Sequence, residues 1–472
     1  MALRISIDSD TWWHLRAGAE IVERRAVITE DPFSITRYQE SWRYPGWLAQ
    51  LVLFEAYQGM GFAGLNIITT LMVTIAFMWI WRFIEGPLVL RSALIILAAT
   101  ASGVYWSARP QIMTFALSGV FIHLLEREQG GEKIPLWIYL SVMALWGNLH
   151  GGFVIGFLLI GAYLGGQLLQ IIGGAIRDAV SWRTFFELNR PLLLRFVWIV
   201  VVSLLGLSLN PHGPSLLLYP FKTVSIGVLR EYIQEWQSPD FHMLGVQPFL
   251  WMIVLAFGGF GLKKGQTRPT DYLLVLGFML MSFWAARNIA VFALGAVVPI
   301  SRALASIPIK VNWKGSSKQV APSVQKYLNV FLAITFLIAA MIKVSLPLNN
   351  GYNQKKLAEI FPSAAMAHLA EHVAYGPIFN SYNWGAYLIW ELYPEYRSFV
   401  DGRTDLFNDE ILEDYLAAWR GEAAWKDIFN QWEIEIALIE PSSPIASKLQ
   451  AEGWQLEFED SKSVIFTKPG DS

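Results

Sequence analysis

The chain has 472 residues, 54% of them hydrophobic and only 16% charged, with a mean hydropathy of +0.39. That balance excludes an ordinary soluble globular protein and indicates a polytopic membrane protein. A formal net charge of -2 leaves no basic footprint for nucleic acid, and zero cysteines exclude disulfides, thiol catalysis and Cys-based zinc sites.

In chain order, the first feature is Asp8-Ser9-Asp10-Thr11-Trp12-Trp13-His14-Leu15, which places two carboxylates, two indoles and an imidazole together. If Asp10 caps a helix starting at Thr11, Asp10 and His14 share one helical face, with Asp8 just upstream. Such a set can bind a metal through Asp8 and Asp10, or take a proton. The plainer reading, N-cap residues beside an interfacial aromatic belt, stays open. From Thr11 to Arg25 the pattern predicts an amphipathic helix lying on the membrane surface, with Trp12, Leu15, Ile21 and Val22 near one side. Asp31-Pro32-Phe33-Ser34 breaks the chain, and Trp42 to Tyr57 reads as a second interfacial segment. No cleavable signal peptide fits before Asp8.

Ten apolar segments follow, at about 62-84, 89-107, 110-126, 134-147, 153-176, 196-209, 246-262, 272-286, 288-304 and 327-347. They predict about ten transmembrane helices, several short of the roughly 20 residues a bilayer requires. Alternate loops divide the basic residues unevenly. One set holds Arg82, Arg91, Arg127, Lys133, Arg177, Arg183, Arg190, Arg195, Lys263, Lys264, Arg268, Arg302, Lys310, Lys314, Lys318 and Lys326. The other holds Arg109, Lys222, Arg230 and Arg287. The positive-inside rule makes the richer set cytoplasmic, which places both the amino-terminal segment and the carboxy-terminal region outside, on a multi-pass protein of the cell membrane.

The same division sorts residues that played no part in it. Arg109, His150, His212, Glu235 and Arg287 all fall at outer span ends, among Gly- and Pro-punctuated turns, whereas the inner loops carry simple basic residues. This asymmetry points to an outward-facing site. Arg109 and Arg287 suit either snorkelling at the interface or a lipid phosphate, and His150 and His212 suit either turns or ligand contacts. Beyond residue 351, short apolar runs at 377-380, 397-400, 435-440, 454-457 and 464-467 alternate with helical stretches near 354-372, 384-393, 408-419 and 443-452, predicting a small α/β domain. The expected organisation is a first outer loop (1-61), a transmembrane helical domain (62-347) and an outer-face domain (351-472). No Walker or dinucleotide glycine loop is present, so a nucleotide cofactor is not expected.

Asp8 to Gly18, followed by Asp31-Pro32-Phe33-Ser34 and Trp47-Leu48, resembles bacterial polytopic glycosyltransferases of the C type, which are related to dolichyl-phosphate-mannose-protein mannosyltransferases. The segment from Asn380 to Tyr387, which includes Trp384, is loosely similar in placement to a motif of oligosaccharyltransferase catalytic subunits. Asn383 stands near where that motif has an aspartate. The resemblance implies an enzyme that moves a hexosyl or pentosyl unit, with inversion, from a polyprenyl-phosphate donor to a lipid, glycan or protein acceptor on the outer face. It implies Asp10 as the catalytic carboxylate, then Asp8; Glu235, in the longest outer loop, is a further candidate only because it could face Asp10. Trp12, Trp13, His14, Arg109, His150, His212, Arg287 and Trp384 are the expected substrate contacts, among surrounding membrane lipids, and a divalent cation (Mg or Mn) is a candidate cofactor. Such proteins normally have a transmembrane helix before the acidic loop, so an upstream apolar segment of about 20 residues is expected. The rivals from other classes are a transporter or flippase, which would carry ionisable residues in the middle of its spans, and a non-catalytic scaffold.

Overall fold

The computed structural model describes residues 4–5, 8–177, 181–263, 265–307, 321–373 and 375–469. Lys264, Lys310, Lys314 and Lys318 of the basic loops lie outside the described residues. Each of the ten apolar segments is helical, because an apolar stretch without water can satisfy its backbone polar groups only internally. After two amino-terminal helices, α1 (Thr11–Arg24) and α2 (Trp47–Met60), the chain runs through α3 (Phe62–Trp81), α4 (Leu88–Ser102), α5 (Gln111–Gln129), α6 (Leu136–Leu149), α7 (Val154–Arg177) and α8 (Trp182–Leu207). Short helices α9 (Tyr219–Val224) and α10 (Gly227–Tyr232) precede α11 (Gln247–Leu262), α12 (Pro269–Trp284), α13 (Ile289–Ala305) and α14 (Pro322–Leu348). Six helices among the described residues are long and apolar enough to cross a membrane, and α6, α11 and α12 are shorter apolar helices. α13 is the central one, with 83% of its apolar window buried, whereas α14 stands almost entirely outside the bundle at 6%.

The carboxy-terminal domain adds α15 (Asn350–Ile360), α16 (Ser363–His372), β1 (Ile378–Asn380), α17 (Tyr382–Leu392), α18 (Thr404–Trp419), α19 (Trp425–Gln431), β2 (Ile436–Ile439), α20 (Pro444–Ala451), β3 (Gln455–Glu459) and β4 (Val464–Thr467). Its mixed sheet has the order β1-β2-β4-β3, with β1 and β2 parallel and the other pairs antiparallel. A parallel pair needs a crossover connection, here supplied by α17, α18 and α19. Two sequence expectations are corrected. The run at 397-400 is no strand; Ser398 instead makes an isolated bridge to Ser34. The helix expected at 354-372 is two helices, parted where Pro362 lacks the N–H that would continue the first.

Among the described residues there are two hydrophobic cores, one within the helical bundle and one shared by the amino-terminal segment and the carboxy-terminal domain. α1 is accordingly not a membrane-surface helix. Trp12, Trp13, Leu15, Ala17, Ala19 and Ile21 are all buried, and α1 packs between α2 and α17. Gly18 permits the contact, since a Cβ there would stand 2.4 Å from the Gln50 carbonyl oxygen.

The seam between the two parts is ionic. Arg403, fully buried, donates from Nη2 to Asp401 Oδ2 (2.7 Å), from Nε to Asp401 Oδ1 (2.8 Å) and from Nη1 to Asp31. Asp31 also accepts from the Phe33 and Ser34 amides at 3.0 and 3.1 Å, which closes the Asp-Pro-Phe-Ser turn. The rings of Trp42 and Phe33 lie 4.9 and 5.3 Å from the guanidinium carbon. Backbone bonds from Ser398 to Phe33 (3.0 Å) and from Ile35 to Ser398 (2.9 Å) complete the joint.

Candidate active site

The cavity of interest, about 800 Å³, opens between the bundle and the carboxy-terminal domain. It collects residues from seven separated parts of the chain: the 8–14 turn, Tyr44, Arg109, His150, the 219–236 region, Arg287 and the 382–405 region. All stand at one end of the helices. At the other end Arg302 bonds Asp271 (2.7 Å) and Glu126, and Tyr163 donates to Glu126 (2.8 Å). Glu126 lies fifteen residues along α5 from Gln111, about 22 Å at the helical rise. The buried charges of the bundle therefore close its far end.

Arg109 organises the site. It stands just before α5 and pairs with three carboxylates at once: Asp8 Oδ2 at 3.2 Å through Nε, Asp10 Oδ2 at 2.6 Å through Nη1 and Glu235 Oε2 at 3.0 Å through Nη2. The planar fork of guanidinium donors suits this division. Arg287, on the turn after α12, reaches Glu235 Oε1 at the longer distance of 3.5 Å and lies over the Trp236 ring at 4.4 Å.

Asp10 sits at the N-cap position of α1 but makes no side-chain capping bond; its carboxylate goes to Arg109 instead. Its amide donates to Asp8 Oδ1 at 3.0 Å, so Asp8 orients the turn. Burial pushes the Asp10 carboxyl up to about 7; Arg109 opposes that rise, while the neighbouring Asp8 and Glu235 charges reinforce it. At Glu235 burial acts in the same upward direction, but Arg287 and Arg109 outweigh it and hold the carboxyl below its usual range. Two carboxylates of one cavity are thus driven apart, the condition under which one stays charged while the other exchanges a proton near neutrality.

His150 is pushed down to about 3 by burial and by Arg287 and Arg109, so it is neutral. Its Nδ1 accepts from the Gly152 amide at 3.0 Å, which leaves the proton on Nε2. His14, also buried, is held well below its ordinary value and lies against the Trp13 ring. Gly402 lies directly over the acid: a Cβ there would stand 1.8 Å from Asp10 Oδ1. Gly402→Ala is therefore expected to displace Asp10 and slow the reaction by about 10²-fold, the usual cost of a misplacement near 1 Å. Turnover measured beside the unfolding temperature checks this; an unchanged rate would mean that the loop does not cover the acid.

Of the residues expected from the sequence, Asp8, Asp10, Trp13, His14, Arg109, His150, Glu235 and Arg287 line this cavity. Trp12, His212 and Trp384 do not. Trp12 points the opposite way along α1, into Phe361, Tyr387 and Trp390. His212 Nε2 donates to the Tyr44 carbonyl at 3.2 Å and borders a separate polar pocket with Glu30 and Arg43. Trp384 is buried in the carboxy-terminal core, and its neighbours Tyr382 and Asn383 face the cavity instead. Sequence reading missed Tyr44, Tyr219, Tyr382, Gly402 and Asp405. The only available signal was the density of Asp401-Gly402-Arg403-Thr404-Asp405, which reads as a polar turn until Arg403 is seen to be buried.

Among the described residues no group of three or more His, Asp or Glu side chains is arranged to hold a metal ion. Asp8 and Asp10 do not fit a divalent cation as placed, because Arg109 already occupies the space between them.

Two solved structures share this architecture. The oligosaccharyltransferase of Archaeoglobus fulgidus in its apo form aligns over 93% of this chain and 66% of its own, at 11% identity and a TM-score of 0.51. The fold is oligosaccharyltransferase-like. The same archaeal enzyme tethered to an acceptor peptide containing the NVT sequon aligns over 93% and 65%, at 10% identity and 0.51. The chain thus spans about two thirds of the length of the structures it matches. No protein-family model matches the sequence, and comparison with curated proteins finds no relative. The oligosaccharyltransferase-like fold places a multi-pass bundle beside a mixed-sheet domain, with the cavity between them.

Proposed function

We propose that this protein is a membrane glycosyltransferase that moves a sugar from a polyprenyl-phosphate donor to an acceptor hydroxyl on the outer face of the membrane. The observation that carries the reading is the juxtaposition, in one cavity, of Asp10 with the Arg109–Glu235–Arg287 array and an apolar side made by Val104, Met281 and Trp284. Val104 and Trp284 are 55% and 67% exposed on the bundle surface, where a prenyl chain would enter from lipid. Arg287, the less committed guanidinium, receives the donor phosphate, and Trp236 braces it from below. Asp10 takes the proton of the acceptor hydroxyl as its oxygen bonds the anomeric carbon. The anomeric carbon–oxygen bond to the phosphate breaks with its electron pair, and the arginines neutralise the charge that grows there. The amino-terminal and carboxy-terminal parts share this site, so both lie outside in this reading.

The test is donor consumption by purified protein in nanodiscs, supplied with a panel of hexosyl and pentosyl polyprenyl phosphates in EDTA. Sugar release is expected without added metal, since the position between the carboxylates belongs to Arg109. Arg287→Ala is expected to lower kcat/KM by roughly 10- to 100-fold through a raised donor KM, the scale of one charge-assisted contact. A protein that neither binds nor consumes any donor of the panel would overturn the proposal.

A further inference from the structure

The reading above uses the Arg109–Arg287 side of the cavity, and the wall contributed by the carboxy-terminal domain has a different chemistry. Asp405, in the first turn of α18, faces the cavity. Its Oδ2 accepts one bond, from the Tyr219 hydroxyl at 3.2 Å, and it forms no ion pair among the described residues. Arg403, two residues away, is committed to Asp401 and Asp31, and Lys222 is exposed at the surface. Burial holds the Asp405 carboxyl above its usual range, against the opposing pull of the Tyr219 hydroxyl, the Lys222 charge, its own backbone amide and the more distant Arg403.

The surroundings are aromatic. The Tyr219 ring is backed by Gly151, where a Cβ would come within 2.6 Å of it. Tyr44 stands edge-on to Tyr219 at 6.4 Å and to Trp13 at 5.1 Å, so a file of three rings runs from the Asp10 turn toward Asp405. Every other carboxylate of the site described above is paired with a guanidinium, whereas Asp405 has one side-chain donor, the neutral Tyr219 hydroxyl, and no cation at ion-pair distance among the described residues. A desolvated carboxylate in that state is completed by a cation, and phenol rings favour one as well. The aromatic file in turn suits the apolar face of a pyranose.

We propose that Asp405, with Tyr219 and Tyr44, forms the acceptor subsite and recognises the ammonium group of an amino-sugar unit. This rests on the donor occupying the Arg109–Arg287 side. Asp405 then sets acceptor specificity: a protonated amine gains a charge-assisted bond that a hydroxyl or an acetamide at the same carbon does not.

The experiment is calorimetric titration of the full chain in nanodiscs with the methyl glycosides of glucosamine, glucose and N-acetylglucosamine, below the pKa of the amine. The wild type is expected to bind the glucosaminide about 10-fold or more tightly than the two neutral glycosides. Asp405→Asn should make the three alike, and Tyr219→Phe should weaken binding while keeping the order. Equal binding of the three by the wild type overturns the proposal, as does a preference that survives Asp405→Asn. If Asp405→Asn fails to fold, Asp405→Glu, which keeps the charge, should retain the preference, and its loss there would count against the assignment. Binding of dodecyl phosphate, measured in parallel, separates this from the donor reading. If the phosphate binds and its affinity does not depend on Arg287, the donor assignment fails, whatever the glycosides do.

Discussion

Asp10→Asn is expected to slow sugar transfer by roughly 10²- to 10⁴-fold, the usual worth of a general base. Fold and expression should be preserved, because Asp10 makes no side-chain capping bond that asparagine would lose. The stability sign agrees. A carboxyl raised to about 7 in the folded protein, above its ordinary 3.8, opposes folding when ionised, and that penalty is complete above pH 7. Asparagine removes it, while Arg109 keeps Asp8 and Glu235 as partners. The pH profile carries the same signature. A base must be ionised to accept a proton, so the wild-type rate should fall about tenfold per pH unit below 7 and level off above it. The residual activity of Asp10→Asn should lack that limb, whereas Asp8→Asn, which only loosens the turn, should keep the limb at a reduced rate. Wild-type turnover in Asp10→Asn would remove Asp10 from the mechanism, and Glu235 would be the next carboxylate to test.

The largest stability effect belongs to Arg403. It is fully buried between Asp401 and Asp31, so Arg403→Met leaves two buried carboxylates without their guanidinium partner. Removing one partner of a buried ionic set costs about 3–5 kcal/mol. The expected result is a marked fall in unfolding temperature, with proteolysis opening the chain near residue 350. Arg403→Lys restores the charge but not the fork, and should recover only part of the loss. Because the same loop carries Gly402 and Asp405 into the cavity, either variant that folds should also show impaired transfer. A Tm within a degree of wild type for Arg403→Met would mean that this triad does not hold the two parts together.

The membrane class, the helical segments and all four strands were legible because each rests on local pattern: apolar length for spans, alternation and short apolar runs for strands. The density at 8–14 and the polar residues at span ends were legible for a related reason. Polar groups beside a bilayer must sit where water or a partner can reach them, so their loop positions show in the sequence. The direction in which each side chain points was not. Trp12 and Trp13 are adjacent, yet one packs into the carboxy-terminal core and the other faces the cavity, since successive helical residues diverge by about 100° and nothing local says which face meets which partner.

The run at 397–400 shows the same limit from the other side. Its apolar residues suit a strand, but the segment bonds to Ser34 and Phe33, more than 360 residues earlier, and becomes the seam instead. By itself the sequence determined a multi-pass helical protein with a small mixed domain and an acidic first loop, because hydrophobic length and periodicity act through neighbours in the chain. Only the tertiary structure decided that Arg109 gathers Asp8, Asp10 and Glu235, that Gly402 covers the acid, and that Asp405 forms no ion pair among the described residues. Each of those depends on groups that approach across about a hundred residues or more, where burial, charge and reach are set by packing.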